Sequence, residues 1–245
     1  MRVQYLRVSL TLLVLQVPYA VQAQFSTNLT PETNRAFDDY VGKMESQLDW
    51  QAKPASNDIS VKPSLGKSPI DVADGMIHDW TASVLIPHAT TEKALRVFQD
   101  YAEYKTLFGP EVVESKLLAQ EGPHWKTYLR LRRKKVVTAV LDSEYDVEYR
   151  PLGDGRWAIL SRSTKISELD GKKELPAGQG HGYLWRLNAY WLLEPRPGGI
   201  YLECRSISLT RDIPPGLAWI VKPFVTSLPK ESLQSTLEAA RTALR

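Results

Sequence analysis

Thr138-Ala-Val-Leu-Asp-Ser-Glu-Tyr-Asp-Val-Glu-Tyr-Arg150 decides the fold class. Its odd positions Ala139, Leu141, Tyr145, Val147 and Tyr149 are mostly apolar, and its even positions Asp142, Glu144, Asp146 and Glu148 are acidic. Successive side chains of a strand point to opposite faces, so this is a strand with one buried and one charged side. The preceding stretch, 124–136, alternates in the same way: Lys126, Arg130, Arg132 and Lys134 oppose Trp125, Leu129 and Leu131. Paired antiparallel, the two strands would set a basic row against an acidic row, each exposed pair contributing a few tenths of a kcal/mol. The basic row is therefore a solvated sheet face and not a nucleic-acid patch. The turn near Val136-Val137-Thr138 contains no Gly, Asn or Pro, which leaves the register open.

Working outward, strand patterns cover about 76–86, 112–120, 156–169, 184–194 and 199–211. Between the first two, Ala94, Leu95, Phe98, Tyr101, Ala102 and Leu107 recur at helical spacing until Gly109-Pro110 stops them. From Pro214-Pro215-Gly216 the chain turns helical again. Leu217 to Leu228 is apolar nearly all round, with Lys222 as its only charge; Pro223 is expected to kink it. Pro229 opens a second portion, in which Leu233, Leu237, Ala240 and Leu244 line one face. Upstream, Ala36, Phe37, Tyr40, Val41, Met44 and Leu48 predict one amphipathic helix from Pro31, capped by Thr30, to about Trp50. Residues 51–70, with Pro54, Pro63, Gly66 and Pro69, read as a linker.

The N-terminus has the order of a secretory signal. Arg2 and Arg7 precede an apolar run, Val8 to Val21, and Val21-Gln22-Ala23 supplies small residues at the cleavage positions. About 14 apolar residues broken by Pro18 fall short of the roughly 20 that span a bilayer. The expected mature chain starts at Gln24, outside the cytoplasm, periplasmic or secreted.

The chain has 245 residues, 43% hydrophobic and 24% charged, with 31 Lys and Arg against 28 Asp and Glu. That is an ordinary globular composition of one or two domains, and losing Arg2 and Arg7 brings the charge near neutrality. The single cysteine, Cys204, excludes an intramolecular disulfide and a Cys-rich metal site. It reads as a small core residue.

One strand, a helical insertion, six antiparallel strands and a long C-terminal helix are the order of the helix-grip fold. Gly75-Met-Ile-His-Asp-Trp80, Pro110-Glu-Val-Val-Glu-Ser115, Ser161-Arg-Ser-Thr164, Gly182-Tyr-Leu-Trp-Arg-Leu-Asn-Ala-Tyr-Trp191 and Gly199-Ile-Tyr-Leu-Glu-Cys204, continuing into Ser208-Leu-Thr-Arg-Asp-Ile-Pro214, carry a resemblance over about 71–245. The sequence resembles the START-like, SRPBCC superfamily and, within it, a family of exported bacterial proteins without an assigned activity. The resemblance implies an α+β fold, a seven-stranded antiparallel sheet wrapped around a long C-terminal helix; the N-terminal helix read from its spacing lies outside the resemblance and is extra to it. The expected organisation is signal 1–23, helix and linker 24–70, and START-like domain 71–245, which should fold without residues 24–70.

The same resemblance places a ligand between sheet and C-terminal helix. Either face of 184–194 could point inward: Leu184, Arg186, Asn188, Tyr190 and Leu192, or Trp185, Leu187, Ala189, Trp191 and Leu193. Trp185, Trp191, Tyr145, Trp219 and Phe224 are expected as apolar wall. Arg162, Glu168, Asn188 and Tyr190 are the polar candidates, Arg162 or Asn188 to fix a head group; the competing reading makes Arg162, Glu203 and Arg211 structural ion pairs. The leading expectation is an exported binding or transport protein for a hydrophobic small molecule or lipid. It needs no cofactor or metal, and the apolar half of the last helix suggests transient membrane contact. The alternatives are a polyketide cyclase or hydratase-like enzyme, with His78 or Glu168 moving a proton, and a structural module with a filled cavity. His78 and Asp79 are adjacent in a strand and cannot form a dyad.

Overall fold

The computed structural model describes residues 26–50, 54, 56–134, 138–213 and 218–245, with side chains in the C-terminal helix from Ser227 onward. Residues 1–23, expected as a signal, and residues 135–137, where a turn is expected, lie outside the described residues.

The N-terminal helix forms where its capping chemistry begins. Thr30 accepts the Thr33 N–H at 3.2 Å, Pro31 takes the first helical position, and the helix runs Pro31–Glu45. It ends before Trp50 because Ser46 caps it; Leu48 and Trp50 lie beyond that end yet pack on the same apolar cluster. Thr33, Phe37, Val41 and Met44 form the buried stripe.

All seven predicted strands are present: β4 (Gly75–Pro87), β5 (Val112–Glu121), β6 (His124–Lys134), β7 (Thr138–Gly153), β8 (Arg156–Asp170), β11 (Arg186–Arg196) and β12 (Gly199–Arg211). Short strands β1 (Thr27–Asn28), β2 (Ser60–Pro63), β3 (Ile70–Val72), β9 (Lys173–Glu174) and β10 (Gln179–Gly180) are additional. The main sheet is antiparallel in the order β2-β4-β12-β11-β8-β7-β6-β5, with β3 also on β4; β1 pairs with β10. The strand count therefore exceeds seven. Two of the five additions, β2 and β3, pair with β4 in and just beyond the expected linker, because an edge strand tolerates the prolines that disguised it.

The register left open by the sequence sets Lys126 opposite Asp146 and Arg130 opposite Asp142. Arg130 donates through Nε and Nη2 to the two Asp142 oxygens at 2.6 and 2.8 Å, so this member of the basic row is neutralised within the sheet.

Two helices, Thr91–Gln99 and Tyr104–Leu107, fill the first crossover, and one 27-residue helix, Ala218–Leu244, runs through both Pro223 and Pro229. It buries Leu233, Leu237, Ala240 and Leu244 against one face of the sheet, with Ala82, Val84, Ile86, Leu193 and Leu202 beneath. This is the helix-grip arrangement. The other face is covered too: Phe37, Val41 and Met44 pack on Ile77, Leu160, Tyr190, Ile207 and Leu209. The sheet thus lies between a gripping helix and the N-terminal helix, with a core on each side.

Candidate functional site

Strand register assigns each side chain to a face. Across the gripped face the rows read Tyr149, Ile159, Trp191, Cys204, Ala82; then Val147, Ser161, Ala189, Ser206, Trp80; then Tyr145 beside Ser163, with Leu187, Ser208 and His78 continuing the line. The first row is apolar and the next two are belted with hydroxyls.

Between this face and the C-terminal helix lies a cavity of about 1180 Å³. Val147, Ile159, Leu187, Ala189 and Trp191 form its floor, Leu228 and Leu233 its roof, and Phe98, Tyr101, Leu107 and Phe108 its end wall. Aromatic contacts hold that wall to the sheet: Phe98 meets Trp191 at 4.7 Å and Tyr101 meets Trp125 at 5.9 Å between ring centroids. Tyr149 donates its hydroxyl to the Phe98 carbonyl oxygen at 2.6 Å, so Tyr101 donates to Tyr149 at 2.9 Å.

The rim is polar. Glu111 pairs with Arg133, and Ser232 on the C-terminal helix donates to Glu111 at 3.3 Å. Burial raises the Glu111 carboxyl above its ordinary range, with Arg133 opposing. On another side, Glu168 accepts the backbone N–H groups of His181 and Tyr183 at 2.7 and 2.9 Å and faces the His181 ring at 3.1 Å. Glu168 is a buried anchor for the 179–183 loop, and it leaves His181 and Tyr183 themselves to line the cavity.

His78 is completely buried on the gripped face, in register with Ser208. Thr210 donates to the Arg211 carbonyl, so its oxygen accepts from His78 Nε2 at 3.1 Å, which leaves Nδ1 as a bare acceptor. Burial brings its pKa down to about 4, and the ring is neutral near pH 7. Asp79, one residue on, faces outward to Arg205 and Tyr40, as strand alternation requires.

Of the residues expected at the ligand, Tyr145 and Trp191 line the cavity. Arg162, Asn188 and Tyr190 lie on the opposite face, a correction with a clear cause: the N-terminal helix brings Glu45 there. Arg162 and Tyr190 donate to Glu45 at 2.7 and 2.6 Å, and Asn188 donates to Tyr190 at 3.0 Å. Trp185 packs in that same outer core with Phe37. The side chains of Trp219 and Phe224 lie outside the described residues. Burial raises the Cys204 thiol well above its ordinary range, in keeping with a core residue at the cavity floor. Ser161, Ser206, Ser208 and Thr127 line the cavity and were missed as a set, because strand alternation ranks hydroxyls with neither face. No group of three or more His, Cys, Asp or Glu suited to a metal ion occurs among the described residues, and no helix among them is long and apolar enough to cross a membrane.

No family model matches the chain, and no curated protein does. Similar solved structures include a STAR-related lipid transfer protein fragment from Xanthomonas axonopodis, 21% identical over 73% of this chain and 98% of that one, TM-score 0.48. Human STARD10 is 12% identical over 87% of this chain and 81% of that one, TM-score 0.47. The di-domain ARO/CYC StfQ from the steffimycin biosynthetic pathway is 11% identical over 69% of this chain and 51% of that one, TM-score 0.49. These are distant likenesses; the helix-grip architecture stands on the strand order and helix placement themselves.

Proposed function

We propose that the protein is an exported binding or transport protein that holds a hydrophobic small molecule or lipid between the sheet and the C-terminal helix. The observation that carries this reading is the cavity of about 1180 Å³, floored by Val147, Ile159, Ala189 and Trp191 and roofed by a single helix. Pockets of roughly 300–1,000 Å³ bury drug-sized ligands, so this one has room for a long or polycyclic molecule. Its apolar floor favours binding through area removed from water, about 25 cal/mol per Å² before the costs of association. Export rests on the order of residues 1–23.

The test is saturable binding of N-phenyl-1-naphthylamine to the purified chain. Ala189→Phe fills the middle of the floor and should weaken binding at least tenfold without lowering the thermal midpoint; unaltered binding would place the probe elsewhere and remove the cavity from consideration. Export is tested by N-terminal sequencing from the native host, where Gln24 is expected and an intact Met1 on a cytoplasmic species refutes it.

A further inference from the structure

The middle of the cavity floor is more specific than its volume. Tyr145 lines the cavity, is 4% exposed, and its hydroxyl has no hydrogen-bond partner. Ser143, two residues away on the same strand face, stands close enough to oppose the effect of burial on the phenol, but it gives its proton to the Leu129 carbonyl at 2.7 Å and makes no hydrogen bond with Tyr145. Native proteins seldom leave a buried hydroxyl unpaired, because the group has given up water and received nothing in return. Around it, Thr127, Ser161, Ser206 and Ser208 line the same space.

This belt has no formal charge. The charged side chains that line the cavity, Glu111, Arg132, Arg133, Arg211, Asp212 and Glu238, belong to strand ends, loops and the helix, and Glu111 is paired with Arg133. A carboxylate or phosphate drawn down to the belt would be desolvated without a counter-charge, a penalty that a neutral hydroxyl or carbonyl avoids. Resting on the cavity as the ligand site, we propose that the ligand is an uncharged lipid bearing a hydroxyl or carbonyl group, which pairs with the Tyr145 hydroxyl in the middle of the cavity. Tyr145 can both donate and accept, and the serine hydroxyls can rotate to either role, so the belt reads position more than hydrogen-bond polarity.

The experiment displaces N-phenyl-1-naphthylamine from the full chain with three amphiphiles sharing one oleoyl chain: 1-oleoylglycerol, oleate and oleoyl lysophosphatidylcholine. The glyceride should displace the probe at concentrations at least tenfold lower than the other two. Tyr145→Phe should remove about tenfold of its affinity, leave the other two unchanged and keep the thermal midpoint, since the lost hydroxyl had no partner to lose. If Tyr145→Phe folds poorly, Ser206→Val reads the same preference from the neighbouring row. Equal displacement by all three, preference for a charged head, or displacement by none while the probe still binds would overturn the neutral-head inference and leave the cavity reading intact. Failure of the probe itself to bind would overturn both.

Discussion

Asp79 and Arg205 stand on neighbouring strands of the outer sheet face, joined by two hydrogen bonds of 2.9 and 2.6 Å, and the carboxylate is wholly buried. Tyr40 of the N-terminal helix adds its hydroxyl proton at 2.6 Å. The helix is therefore keyed to the sheet by a buried charge as well as by Phe37. Burial, reinforced by Asp79, pushes the Tyr40 phenol above its ordinary range, so it stays protonated and keeps donating.

Arg205→Met leaves that carboxylate with one neutral donor. The expected loss in urea unfolding is about 3–5 kcal/mol, the scale for breaking a buried pair from one side. Asp79→Asn combined with Arg205→Met should recover part of it. A single-mutant loss no greater than that of an exposed arginine would show that the pair is not buried in solution.

Removing the N-terminal helix should cost more than it would if that helix merely lay beside a finished domain. Fragment 71–245 exposes Ile77, Leu160, Ile207 and Leu209, which lie under Phe37, Val41 and Met44, and each buried side chain of this size contributes about 1.5–3 kcal/mol. Against the expectation drawn from the sequence that 71–245 folds alone, we expect the fragment to show no cooperative thermal transition, or one far below that of the full chain. A matching midpoint would make the helix an accessory.

His78 and Glu45 each contribute to the acid dependence of stability, at different pH. The His78 pKa is lowered by burial from 6.5 to about 4, so the unfolded chain gains a proton in that window before the folded one does. Stability falls as pH drops through it, by up to about 1.4 kcal/mol per pH unit, and above it this contribution is constant. Glu45 acts lower. Burial raises its carboxyl, but hydrogen bonds from Arg162 and Tyr190 outweigh burial and hold it below its usual 4.5; its contribution is complete above that value and is lost as pH falls through the folded pKa. Denaturant midpoints across the acid range should show a shallower upper slope in His78→Gln and a shallower lower one in Glu45→Gln, where Asp142, raised by burial but held down by Arg130, keeps a part. An unchanged upper slope in His78→Gln would assign it to another group.

Glu168→Ala should free the 179–183 loop without dismantling the sheet. Two backbone N–H groups lose their acceptor, and we expect faster amide exchange at His181 and Tyr183 with a higher probe dissociation rate. Unaltered exchange at both amides would show that the loop is held by other contacts.

The edge of the sheet was easier to read in the sequence than its centre. In β7 and β6 one face is apolar and the other charged, so Asp142 and Arg130 declared their side before any pairing was known. In β11 both rows carry large apolar groups, Trp191 and Leu193 against Tyr190 and Leu192, because a helix covers each face and alternation no longer separates inside from outside. That is why Arg162 and Asn188 could be expected at the ligand. The stripe Phe37, Val41, Met44 showed that the first helix had a buried side, but the sheet face that receives it depends on pairings more than a hundred residues away. Ser206 and Ser208 form a cavity belt only once β12 is set beside β11.

Those distances also set the order in which the molecule can be finished. Asn34 accepts from Arg186 across 152 residues, Glu45 from Tyr190 across 145, and the Leu244 carbonyl from Lys93 across 151. At about 5–20 residues per second, roughly 7–30 s of synthesis separate Glu45 from the strand it docks on. The first helix must wait as an amphipathic segment with its apolar stripe exposed, and neither core can close until the last strands arrive. Contacts of this span make folding slow and late. A nascent chain wired in this way carries its apolar surface uncovered over nearly its whole length of translation.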